Sequence, residues 1–169
     1  VDVVHKNGGV FIADEVQPGF ARTGQAFFGF ARHGIVPDMI TMGKPMGNGI
    51  PISGLAAKED VLAAFSDKLP YFNTFGGNPV SIAAAQAVLK YIKDENLQEH
   101  CKKAGAALLK ALKEVQERHP ESVGDVRGAG LFLGFEFVKN DGNKTPDKDM
   151  ALNVIEMLRD EHILTSVIG

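Results

Sequence analysis

The chain predicts an α/β fold: a mostly parallel sheet flanked by helices, followed by the start of a small α+β C-terminal domain. Three observations carry the prediction. Two apolar runs of strand length, 10–14 and 39–42, each stop at an ionisable group, Asp14-Glu15 in the first and Lys44, fenced by Gly43, Gly47 and Gly49, just past the second. Strands that each deliver one such group at the C-terminal end point to an open parallel sheet, where ligands bind outside those ends. Apolar residues then recur at helical spacing from 79 to near 120, and beyond 123 the period changes to the alternation of a half-buried strand.

Each element has its own justification. Val1-Asp-Val-Val-His-Lys reads as the last turns of a helix closed by Gly8-Gly9. The first strand covers 10–14, and Pro37-Asp38 opens the second. Residues 52–57 read as a third strand and 59–65 as a helical turn or two. Pro79 suits the first turn of the next helix, with the Thr74 hydroxyl just ahead of it. Ile82, Ala85, Val88, Leu89 and Ile92 make 79–94 amphipathic, and Leu97, Cys101, Ala104, Leu108, Leu112 and Val115 continue the stripe through a second helix ending near Pro120. That stripe is core packing, with Cys101 a buried, unreactive thiol. Two β segments follow in 123–138 around Gly128-Ala-Gly130, then a polar turn at Asn140-Asp-Gly-Asn, a helix over 147–160 and a strand over 163–168. The division expected is 1–95 for a large domain, 96–120 for a connecting helix and 121–169 for a smaller domain.

Composition excludes several function classes. A length of 169 residues allows one core or a little more. With 44% apolar and 23% charged residues, the balance is that of a soluble globular protein. A net charge of -3 gives no basic field for nucleic acid. No apolar run reaches membrane-spanning length, so a soluble, cytoplasmic protein is expected. The single cysteine rules out an internal disulfide. His5, His33, His100, His119 and His162 lack metal-ligand spacing. Gly43-Lys44 is no P-loop, and Gly128, Gly130 and Gly134 do not form a dinucleotide fingerprint. Both ends read as cut, since no initiating Met is present and the run at the far end stops at Gly169. An organellar leader is therefore left open.

For chemistry, the pattern offers an acid and an amine at the ends of neighbouring strands. That is what pyridoxal phosphate asks of a protein: a carboxylate for its ring nitrogen and an amine for its aldehyde. Residue by residue the plainer readings compete. Asp14 reads equally as a turn-capping carboxylate, Gln17 as an exposed turn residue ahead of Pro18, Thr74 as a loop hydroxyl, and Lys44 as a surface lysine. The glycines around Lys44 argue against the last, because they let backbone approach a ligand closely. Glu15 reads as structural, and Arg22 as a brace for its loop.

Three stretches in order, IADEVQPGFARTG, PDMITMGKPMGNGIPISG and YFNTFGGNPVSIAAAQAVL, resemble successive signatures of the class III pyridoxal-phosphate-dependent aminotransferases, of fold type I. The likeness continues through VGDVRGAGLFLGFEFV and covers essentially the whole chain, as an internal piece running from the later large domain into the small one. The resemblance implies a Schiff-base role for Lys44 and pairing of Asp14 with the pyridine nitrogen. It places Gln17 near the cofactor's phenolic oxygen. It implies a homodimer in which Thr74 reaches the phosphate bound by the partner, with an amino donor and a keto acid as substrates. The narrower likeness of GKPMGNG, YFNTFGGNPVS and Lys144-Thr-Pro146 is to amino-alcohol phosphate phospho-lyases and alanine–glyoxylate aminotransferase-like proteins. Transamination is therefore expected, with phosphate elimination from a phosphorylated amino alcohol as the alternative. A catalytically inactive association module is the third reading.

Overall fold

The computed structural model describes residues 1–168. In order come α1 (Asp2–Lys6), β1 (Ile12–Asp14), β2 (Met39–Met42), β3 (Gly54–Ala57), α2 (Glu59–Ser66), α3 (Pro79–Asp94), α4 (Leu97–Arg118), β4 (Val123–Ala129), β5 (Phe132–Phe137) and α5 (Lys148–Asp160). The chain separates into two compact units. The first holds Val1–Ala104 with Gly130–Phe132, and the second holds Gly105–Ala129 and the residues from Leu133 onward.

In the first unit β1, β2 and β3 form one sheet in that order. β1 and β2 run parallel, with Asp14 opposite Thr41. β2 and β3 run antiparallel, with Met42 opposite Gly54. Among the described strands one pairing is thus parallel and one antiparallel, and connection length explains the difference. A parallel return needs a crossover of about a dozen residues or more, usually with a helix. Residues 15–38 provide such a span between β1 and β2. Residues 43–53 carry only the short 3-10 turn Lys44–Met46, so the chain comes back antiparallel.

One buried carboxylate knots this unit together. Asp38, at the entry to β2, accepts from His5 Nε2 at 2.7 Å, Phe11 N at 2.8 Å and Lys58 Nζ at 2.8 Å. It therefore joins α1, the approach to β1, and the start of α2. These three partners hold the Asp38 carboxyl far below the ordinary carboxylate range, the Lys58 hydrogen bond being the largest cause. The same bond raises the Lys58 amine.

α3 starts where the sequence places it, with Pro79 in its first turn. The cap is Asn78, whose Oδ1 accepts from Ser81 N at 2.9 Å, rather than Thr74. Buried Ser81 donates to Pro51 O at 3.1 Å, tying α3 to the segment that follows Lys44. Phe20, Phe27, Phe28 and Phe30 cluster edge to face and stacked. The loop beside them is wedged tightly. A Cβ on Gly24 would meet Lys102 Cα at 2.6 Å, and one on Gly130 would meet Arg22 O at 2.4 Å. The Arg22 carbonyl accepts from Leu131 N at 2.9 Å.

In the second unit β4 and β5 form a two-stranded sheet whose core includes Val123, Val126 and Val138. Gln116 of α4 donates to Gly124 O, and Asp147 caps α5 through Met150 N. The strand expected over 163–168 is not formed, and Ile163, Leu164 and Ile168 are exposed. An apolar run becomes a strand only when a neighbour takes up its backbone ladder, and among the described residues none does. Cys101 is free and half-buried.

Candidate active site

β1 is three residues long because its sequence runs straight from apolar packing into a carboxylate pair. Ala13 is buried while Ile12 and Asp14 face outward, and Glu15 turns inward again, 2% exposed. Glu15 accepts from Gly29 N at 2.7 Å and Phe30 N at 2.8 Å, so its two oxygens hold the start of the 3-10 turn Gly29–His33. A buried carboxylate with both oxygens engaged by backbone amides is a fastening. That matches the structural role expected for Glu15.

Asp14 is different. It is exposed at the C-terminal end of β1, and only its Oδ1 is engaged, by Val16 N and by the Thr41 hydroxyl, each at 3.1 Å. Among the described residues Oδ2 has no hydrogen-bond partner. Lys44 emerges at the same end of the sheet, two residues past the last residue of β2, the parallel neighbour of β1. The structure thus brings the two strand-end groups to one edge. Lys44 is exposed, and no described carboxylate lies within ion-pair distance of its amine.

The backbone at Lys44 is strained. Its φ is 31°, in the left-handed region, directly before Pro45. Such a residue stores energy of order 1–3 kcal/mol and is found where a site demands it. Lys44 lines an open concavity of about 460 Å³ with Pro45, Asn48, Gly49, Ile50, Pro51 and Ile52.

Gln17 lies exposed in the turn after β1. Thr74 lies in an exposed loop shaped by Asn73, whose Oδ1 accepts from Phe75 N and Gly76 N at 3.0 Å each. His33 is exposed and without a role here. Two residues the sequence reading passed over matter to this edge: Thr41, bonded to Asp14, and Asp38, the knot beneath both strands. The signal for Thr41 was its place in β2, legible only once the register with β1 is known. Among the described residues no cluster of side chains is suited to a metal ion. No described helix is long and apolar enough to cross a membrane.

A solved phospholyase from Arthrobacter, in complex with phosphoethanolamine, matches this fold with a TM-score of 0.93 at 40% identity, over 99% of this chain and 40% of that one. Residues 2–169 match the family described as aminotransferase class-III, and the chain belongs to it. It is 45% identical over 158 residues to ethanolamine-phosphate phospho-lyase homolog 1 of Caenorhabditis elegans, which covers 92% of this chain and 34% of that protein. It is also 45% identical over 163 residues to the mitochondrial alanine–glyoxylate aminotransferase 2 homolog 2 of Arabidopsis thaliana, covering 96% and 34% respectively. The chain spans about a third of the length of these curated relatives.

Proposed function

We propose that this chain forms the lysine- and aspartate-bearing part of an aminotransferase that moves an amino group from an amino donor to a keto acid. The observation that carries the reading is the meeting of Asp14 and Lys44 at one end of a parallel strand pair. The residues fit pyridoxal phosphate. Asp14 has a spare acceptor in Oδ2, and Lys44 has an exposed amine beside an open concavity. When bound, the cofactor supplies an aldehyde that condenses with amines and a ring that accepts the electron pair left by a departing proton.

The rest falls to the protein. Asp14 Oδ2 would hold a proton on the ring nitrogen, each pKa unit of bias amounting to about 1.4 kcal/mol. Lys44 Nζ would hold the cofactor through its aldehyde and, once freed by the amino donor, would serve as the base for the substrate's α-carbon proton. Gln17 would lie toward the phenolic oxygen. Residues 1–95 belong to the cofactor-binding domain and 121–169 to the smaller one, joined through 96–120. A second copy of this chain would complete the site, its Thr74 holding the cofactor's phosphate. The exposure of Tyr71, Phe72 and Phe75 beside Thr74, at 74%, 85% and 81%, supports that pairing, because so much aromatic surface is left to be covered. The protein is expected to work in the cytoplasm.

A second reading is supported by the two phospho-lyase relatives: the same residues would serve the elimination of phosphate from a phosphorylated amino alcohol. Transamination is preferred because the match over 2–169 is to the aminotransferase family as a whole and Lys44 is the one charged residue lining the described concavity. The test offers the whole protein an amino donor with a keto acid, and separately a phosphorylated amino alcohol alone. A new amino acid in the first mixture supports transamination. Phosphate release in the second, with nothing formed in the first, overturns it in favour of the lyase.

A further inference from the structure

We propose that Thr41 is a positioning residue for Asp14: its hydroxyl fixes the carboxylate so that Oδ2 alone faces the cofactor's ring nitrogen. The proposal rests on the reading of Asp14 given above. Thr41 is the cross-strand partner of Asp14 in the parallel register, and its Oγ1 donates to Asp14 Oδ1 at 3.1 Å. The Val16 amide donates to the same oxygen at 3.1 Å. Two donors on Oδ1 set the plane of the carboxylate and occupy that oxygen, while Oδ2 is without a partner among the described residues.

The donor is itself well held. Thr41 sits within β2, its carbonyl accepts from Glu15 N at 2.9 Å, and its β-branched side chain has few rotamers open to it. The bond therefore acts on Asp14 and not the reverse, since Asp14 is the last residue of its strand. Without the Thr41 donor the carboxylate is free to turn away, and the ring nitrogen would lose the fixed acceptor that keeps its proton in place.

The test uses Thr41→Val, which keeps the side-chain shape and removes the donor, and Thr41→Ser, which keeps the donor. Both are made in the whole protein, with Asp14→Asn as a reference. Two readouts are taken: the kcat and KM of the amine half-reaction, and the ring-nitrogen chemical shift of bound, isotopically labelled pyridoxal phosphate. For Thr41→Val the expected result is a kcat lowered roughly tenfold, as a barrier change near 1.4 kcal/mol gives, with KM held. The nitrogen shift should move toward the unprotonated value, and Thr41→Ser should restore both. Wild-type kcat and nitrogen shift in Thr41→Val, alongside altered values in Asp14→Asn, would overturn the proposal while sparing the role of Asp14. Wild-type values in Asp14→Asn as well would overturn both.

Discussion

At Lys44 two local choices converge: a strand that ends two residues earlier, at Met42, and a φ of 31°. They leave an exposed amine with no carboxylate within ion-pair distance among the described residues. If Lys44 is the covalent anchor proposed above, replacing it by Ala should lower turnover well beyond the roughly 10²–10⁴-fold expected of a general acid–base group, because the anchor goes too. Borohydride reduction of the cofactor-loaded protein should fix the cofactor's mass on the Lys44 peptide. Label on Lys58 or Lys68 instead would show that the anchor lies elsewhere. The strand-end placement of Lys44 and Asp14 is legible in the sequence because each follows an apolar run, so it depends only on local pattern. Glu15, Asp38 and Thr41 were harder to assign for a shared reason. Their partners are Gly29 and Phe30, His5 and Lys58, and Asp14 across the sheet, and such pairs exist only after the chain has folded.

Among the elements, helices were read most closely and short strands least. α3 covers 79–94 as its amphipathic stripe requires, and α4 and α5 fall within a few residues of expectation. A helix satisfies its own backbone, whereas a strand depends on a neighbour, so β1 and β3 came out shorter than their apolar runs and 163–168 formed no strand. What positions β1 against β2 is Asp38, and this contact carries a pH dependence of definite sign. The native Asp38 pKa lies below its unfolded value, so its contribution is fully present above about pH 4 and fades as the solution is acidified below that. Lys58 is raised, so its share persists through neutral pH and is lost only at alkaline pH, as deprotonation sets in above about 10.4. Asp38→Asn should lower the unfolding temperature at pH 7 and flatten its fall between about pH 5 and 3. If the variant's melting temperature fell with acid as steeply as the wild type's, other carboxylates would be responsible for the loss.

For the whole molecule the question is whether one active site draws on two chains. Thr74 stands in a loop whose neighbours Tyr71, Phe72 and Phe75 are exposed, and the Asn73 bonds to Phe75 N and Gly76 N give the loop a fixed shape. A preformed, apolar, exposed loop costs little entropy to dock, which favours use of this surface between copies in a symmetric pair. Mixing Lys44→Ala subunits with Thr74→Ala subunits tests it directly. If Thr74 serves the site of the other copy, each hybrid has one site with Lys44 from one chain and Thr74 from the other, both intact. With random exchange half of the dimers are hybrids, so about one site in four should regain full activity. Were Thr74 to serve its own chain's site, every site in the mixture would lack Lys44 or Thr74. Activity no higher than the sum of the two parents, with hybrids verified by mass, would place the whole Thr74 contribution within one chain.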